Sequence, residues 1–148
     1  MQSYPRIKIG YSRYVRVCPE LLVIEDDEAV KAISLNLQRA CKLVRMKDDV
    51  DALVKKVIEK TEIVDYRSHI GGGWFVSVTS AYLCVDIREW YLDKNLQLKP
   101  SRKGMALRLN EWADFVKSLP QIYKLRPAFE KEVPCYHQPS HGNQQSEC

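Results

Sequence analysis

The stretch DIREWYLDKNLQLKPSRKG, residues 86–104, sets Arg88 and two aromatic rings, Trp90 and Tyr91, ahead of a run of cations. From Lys94 to Asn110 the chain carries five cations (Lys94, Lys99, Arg102, Lys103, Arg108) and no carboxylate. Flat π-faces can receive unstacked nucleobases, at about 1–3 kcal/mol per base and with little dependence on sequence. Cations that track a phosphate backbone release counterions, which makes such binding weaken as salt rises. Each residue also has a plainer reading. One of two adjacent strand residues faces the core, so either Trp90 or Tyr91 can be a packing residue. Arg88 can pair with Asp86 or Glu89 on the surface, and Lys99, Arg102 and Lys103 can form a solvated edge that resists sheet aggregation.

Other chemistry finds less support. Cys135, His137, His141 and Cys148 are zinc-ligand types, but their spacing suits no usual zinc module. The glycines at 71–73 lead into a strand pattern with no Lys-Ser/Thr after them, unlike a phosphate loop. The acidic runs EDDE (25–28) and KDDVD (47–51) lack the ligand pattern of a calcium loop. His69 stands alone, and no nucleophile sits with a base. The expectation is a non-enzymatic protein without metal or cofactor.

The elements that must position these residues read as two similar series. IGYSRYVRV (9–17) matches IGGGWFVSV (70–78), and KAISLNL (31–37) matches KGMALRL (103–109), in the same order. The second pair of blocks lies eleven residues further apart, which points to a duplication with an insertion. In the first series, Arg6 to Val17 reads as strand, Leu21 to Ile24 as a second and Val30 to Leu35 as a third, with EDDE as a solvated turn. Asn36 caps a helix that breaks or bends at Asp48 and Asp49. In the second series, strands are expected at Trp74–Val78, Tyr82–Trp90, Leu96–Leu98 and Lys103–Leu109. Asn110 then caps a helix that runs to Leu119 and ends or kinks at Pro120. Trp112 packs inward with Leu109, Phe115 and Val116. Residues 59–69 serve as a connector. The units expected are 1–60, with three strands and a helix; 61–128, with four strands and a helix; and a disordered tail, 129–148.

The chain has 148 residues, 45% of them apolar, enough for one ordinary domain or two small ones. Its net charge of +4 is too mild to name a partner. Five cysteines without regular spacing, two of them (Cys41 and Cys84) in apolar patterns, read as thiols of a reducing compartment. No run is long or apolar enough to suggest a membrane span or secretory signal. An intracellular protein is expected.

Three motifs, IGGGWFVSV, DIREWYLD and LKPSRKGMAL, are followed by Trp112 inside a helix. Together they resemble the C-terminal domain of the positive cofactor four transcriptional coactivators, over about residues 66–125. The first series resembles it more weakly and lacks the aromatic and basic hairpin. The resemblance implies an α+β fold of two coactivator-like units, each a curved antiparallel sheet followed by a helix, paired through their helices within the chain or in a dimer. It implies single-stranded DNA as partner, a role in transcription or in handling opened DNA, possible contact with the transcription machinery, and a nuclear location. Arg88 matches the family's strand arginine and Tyr91 stands where the family has a stacking tryptophan, the two aromatics being exchanged. Lys99, Arg102 and Lys103 match its basic set, with Ser101 in place of a glycine. Arg13 and Tyr82 are further candidates: Arg13 matches a basic residue before the first strand's tyrosine, and Tyr82 can stand in for an aromatic of a shortened hairpin. Arg13 has the parity of Val15 and Val17, however, and strict alternation would bury it. Arg6 and Lys8 either extend the basic surface or simply face water. A protein-interaction module that has lost DNA binding, and a binder of single-stranded RNA, are the alternatives.

Overall fold

In the computed structural model, which describes residues 4–131, two four-stranded antiparallel sheets are each followed by helix. The first sheet is β1 (Arg6–Ile9), β2 (Arg13–Val17), β3 (Leu21–Asp26) and β4 (Lys31–Asn36), neighbours in chain order. Helices α1 (Leu37–Arg45) and α2 (Lys47–Glu59) come next. The second sheet is β5 (Asp65–Gly71), β6 (Trp74–Thr79), β7 (Tyr82–Leu92) and β8 (Leu98–Arg108), again in chain order, and leads into α3 (Leu109–Leu125) and α4 (Ala128–Lys131). The α+β class and the sheet-plus-helix units are as the sequence implies.

Period-two alternation gives each sheet one apolar face. Val15, Val17, Leu22, Ile24 and Leu35 are fully buried in the first, and Val76, Val85, Ile87 and Leu107 in the second. Each fully buried side chain of this size contributes about 1.5–3 kcal/mol. The helices cover these faces in a reciprocal way. Helix α3 packs on β1 and β2 of the first sheet as well as on β7 and β8, and α1 packs on β5 as well as on β3 and β4. Trp112 and Phe115 of α3 and Leu43 of α1 fill the shared core. The Trp112 indole N–H donates to Asp51 Oδ1 of α2 at 2.7 Å, so its one polar atom is satisfied.

The hairpin turns explain two glycines. Gly10 turns β1 into β2 at φ +67°, and its N–H donates to Asp114 Oδ2 of α3 at 2.8 Å. A Cβ there would lie 2.6 Å from Glu111 Cγ. On the other side, Arg39 Nε of α1 donates to the Gly71 carbonyl at 2.9 Å. Each sheet's first hairpin thus touches the start of the helix that follows the other sheet.

Several element expectations are corrected. Arg6–Val17 is two strands, because the left-handed Gly10 makes a hairpin, so the first sheet has four strands and not three. The expected connector contains β5, whose Ile70 is buried and whose Tyr66 packs on the core while Asp65, Arg67 and His69 face the other way. The two short strands expected around Pro100 are one strand, β8, which tolerates a proline because it is the last strand of its sheet. The first helix breaks at Met46, which places Asp48 and Asp49 in the first turn of α2, where carboxylates are favoured. Asn36 does cap α1, accepting from Arg39 N–H at 2.9 Å. Arg108, not Asn110, is the N-cap of α3, where Glu111 Oε1 accepts the Arg108 N–H at 2.7 Å. That helix also runs through Pro120 to Leu125, held by the buried Leu119 and Ile122. Order continues beyond residue 128 as α4, whose Phe129 is 1% exposed. The rest of the expected tail, with Cys135, His137, His141 and Cys148, lies outside the described residues.

Candidate nucleic-acid interface

The second sheet turns its apolar face to the helices and leaves the other open. Strand register sets the residues of that open face in rows. His69 pairs with Phe75 and Phe75 with Arg88, which lies opposite Gly104. The next row runs Arg67, Ser77, Asp86, Ala106. Two residues along β7 from Arg88, and on the same side, Trp90 meets Phe75 edge-on, with centroids 6.3 Å apart and planes at 71°. The Arg67 guanidinium lies over the Trp90 ring, 4.4 Å from its centroid. His69 stands against the other side of Phe75 at 5.1 Å. A cleft of about 390 Å³ opens on this face, lined by Arg67, Tyr82, Cys84, Asp86, Arg88 and Trp90 among others, with Phe75 behind Trp90.

Arg88 is held in place at the cleft by its neighbours. Its Nε donates to Asp86 Oδ2 at 3.1 Å and its Nη1 to the Ser101 carbonyl at 3.0 Å. Gly104 lies under the Arg88 side chain, and a Cβ there would be 2.6 Å from Arg88 Cγ. Any side chain at position 104 would therefore displace the arginine. Burial, then Asp86, pushes the Cys84 thiol above its usual range, with Arg88 opposing. Burial, then Lys42 and Arg39, holds His69 below the ordinary imidazole range, so it favours the neutral form.

Beyond Arg88 the pairing slips. Register passes from Arg88–Gly104 to Trp90–Pro100, so Ser101, Arg102 and Lys103 bulge opposite the single residue Glu89. The bulge exposes Arg102 and Lys103, and Lys99 is exposed a step further along the ribbon. Among the described residues none of these three cations pairs with a carboxylate. Tyr91, opposite Lys99, is 51% exposed.

The structure therefore separates the residues singled out from sequence. Arg88 and Tyr82 line the cleft. Tyr91, Lys99, Arg102 and Lys103 lie on the ribbon that extends from it. Arg13 lies elsewhere, between the two units. Its Nε reaches Asp26 Oδ2 at 3.0 Å and its Nη1 reaches Glu111 Oε1 at 2.9 Å, with Glu111 only 1% exposed. Its parity with Val15 and Val17 was the correct signal, and the buried carboxylates are its partners. Sequence reasoning missed Trp90, Phe75, Arg67 and His69 as open-face residues. Trp90 shares parity with Arg88, and that spacing of two was the available clue.

These features define an α+β protein with an open β-sheet that combines rings, a held arginine and an unpaired basic ribbon. Residues 83–118, from the second residue of β7 through β8 into α3, match the family model of transcriptional coactivator p15 (PC4). The likeness is to a transcriptional coactivator, over that segment. No solved structure matches the chain.

Proposed function

We propose that this protein binds single-stranded DNA without catalysis, as a coactivator of transcription or in handling opened DNA. The observation that carries the reading is the open face itself: Phe75 and Trp90 stand beside Arg88, and the adjoining ribbon offers Lys99, Arg102 and Lys103 with no carboxylate partner among the described residues. Bases stack on the rings, Arg67 or Arg88 contacts phosphate, and the ribbon follows the backbone. Tyr82, exposed at the cleft, extends the stacking surface, whereas Tyr91, exposed but of opposite parity to Arg88 and Trp90, lies on the other side of the ribbon. Duplex DNA presents no free base faces and gains only the backbone term. A nuclear location goes with this role.

The two units are proposed to be tandem copies paired within one chain. Two facts support this. Corresponding positions of the two sheets carry the same burial (Ile9 and Ile70, Val15 and Val76, Val17 and Val78, Leu35 and Leu107), and the hairpin-to-helix contacts are reciprocal. The extra residues of the second copy lie mostly in the β7–β8 ribbon.

The test is titration of a labelled single strand, its duplex and the matching RNA at several salt concentrations. A single-strand preference that falls with salt is expected. Each lost phosphate contact lowers the slope of log K against log salt by about 0.7 for single strands. Replacing Lys99, Arg102 and Lys103 with glutamine should therefore flatten it by about 2. Absence of binding at low salt rules the reading out and leaves a protein-interaction module. Equal or tighter binding of RNA redirects it to that ligand.

A further inference from the structure

The open face of the first sheet occupies the same place in its unit as the cleft-bearing face does in the second. Register makes the correspondence residue by residue. Tyr14 pairs with Glu25, which pairs with Ala32, just as Phe75 pairs with Arg88, which pairs with Gly104. Arg6 pairs with Arg16 as Arg67 pairs with Ser77. Arg6 lies over the Tyr14 ring, 3.8 Å from its centroid, as Arg67 lies over Phe75 and Trp90.

The charges, however, are reversed at the centre. Where the second sheet has Arg88, the first has Glu25. Two residues on, where the second has the Trp90 ring, the first has Asp27. These carboxylates take up the two arginines of that face, Arg6 and Arg16, while Lys8, opposite Tyr14, stays exposed. Arg6 grips both oxygens of Asp27 at 2.7 and 2.8 Å, and its Nε lies 3.2 Å from Glu25. Arg16 Nε donates to Glu25 at 3.0 Å. Arg88 is likewise held by Asp86, and Arg67 likewise lies over Trp90, so the difference between the sheets is one of charge: Arg6 and Arg16 face two carboxylates, Glu25 and Asp27, where the second sheet has a cation and a ring. A polynucleotide would have to break these pairs and would then meet two unpaired carboxylates.

We propose that each chain binds one single strand only, on the second sheet, and that Glu25 and Asp27 close the first sheet to polynucleotide. The proposal rests on the function proposed above. Its consequence is that one chain captures one strand of an opened duplex and leaves the other free.

The experiment measures stoichiometry, by native mass spectrometry and calorimetry at low salt, with a single strand of about ten nucleotides, within the 4–16 that one compact binding fold covers. The wild-type chain should bind one. The E25Q/D27N variant frees Arg6, Arg16 and the Tyr14 face, and should bind a second, more weakly. Two strands per wild-type chain overturn the inference alone, and so does a folded variant that still binds one. Photocrosslinking of a halogenated strand to the wild-type protein keeps the test decisive if the variant does not fold. Crosslinks confined to Phe75, Trp90 and Tyr82 support the inference, and crosslinks at Tyr14 overturn it. Failure of both proteins to bind at low salt overturns the proposed function and this inference with it.

Discussion

Replacing Arg13 with alanine should destabilise the protein by about 3–5 kcal/mol, the range for breaking a buried ion pair by removing one partner. The structure shows why the loss is large. The guanidinium, 18% exposed, touches two carboxylates at 2.9 and 3.0 Å, and those side chains are 2% and 9% exposed. At an effective dielectric of 20, each contact has a gross attraction of about 5–6 kcal/mol, most of it offset by desolvation. Without the arginine, Asp26 keeps the Ser12 hydroxyl and the N–H groups of Glu28 and Ala29, so it remains supported. Among the described residues Glu111 keeps the Arg108 N–H, and the Ala106 carbonyl loses the Arg13 donor. The deficit therefore falls mainly on Glu111, which is why the lower half of the range, about 3 kcal/mol, is the better expectation. Against a typical total of about 5–15 kcal/mol, such a loss is a large fraction of the stability.

Urea unfolding of the wild-type and R13A proteins measures this directly. The midpoint should fall with little change in slope. The same variant should leave the salt dependence of DNA binding untouched, since Arg13 faces two carboxylates and not the cleft. A loss below about 1 kcal/mol, the value of a surface ion pair, refutes the reasoning. So does a salt slope that drops by the amount expected for a phosphate contact.

Four further outcomes follow from the geometry. Burial pushes the Asp26 carboxyl up, but the Ala29 N–H, Arg13, Ser12 and the Glu28 N–H outweigh it and bring it down from 3.8 to about 2. A depressed carboxylate stabilises the fold above its unfolded pKa, so about 2 kcal/mol should vanish as pH falls from 4 towards 2, and D26N should abolish that part of the acid transition seen by circular dichroism. Trp90→Ala should weaken single-strand binding by about 1–3 kcal/mol, or roughly five- to 150-fold, in fluorescence titrations, with a smaller effect on the salt slope. Gly104→Ala should displace Arg88 and weaken binding while the fold persists, as read by the same titration and a thermal melt. For His69, depressed by burial, Lys42 and Arg39, stability should fall as pH drops below the ordinary value of 6.5, and a bound phosphodiester should raise its midpoint in an NMR titration by offsetting those cations.

The core was legible in the sequence wherever alternation was strict. Val15, Val17, Val76 and Val78 carry their inward face in their spacing, and each is buried. Trp112 could be placed inward because Leu109, Phe115 and Val116 share its helical face. Boundaries were less legible where tertiary contacts outvote local preference. Pro120 forbids one helical hydrogen bond, yet Leu119 and Ile122 are buried on both sides of it and hold α3 together. Gly10 looked like one residue of a strand block, and only its left-handed turn against α3 makes two strands of one. At the site, the cations of the ribbon could be read from the absence of carboxylates. Which aromatic faces the cleft could not be taken from the family alignment, because it depends on parity with Arg88 and on the bulge that begins just after it.

In a twofold assembly of identical chains every residue occurs on both sides, so a charge reversal between equivalent positions is impossible. Here both units lie in one chain, and Glu25 and Arg88 hold equivalent register positions with opposite charge. Reciprocal packing constrains only the apolar faces and the hairpins, which is where the two units agree. The open faces carry no packing duty and are where they differ. The hairpin contacts differ as well. One side is closed by Arg13 on Glu111, and the other by Arg39 on the Gly71 carbonyl, with the buried Trp74 at the position of Arg13. The first side is a charged bond buried in the junction, and the second a single hydrogen bond to backbone. Stability at the junction should therefore be more sensitive to Arg13 than to Arg39. Unfolding of R39A beside R13A measures that ratio, and equal losses would show that the junction is held by apolar packing instead of by its ion pair.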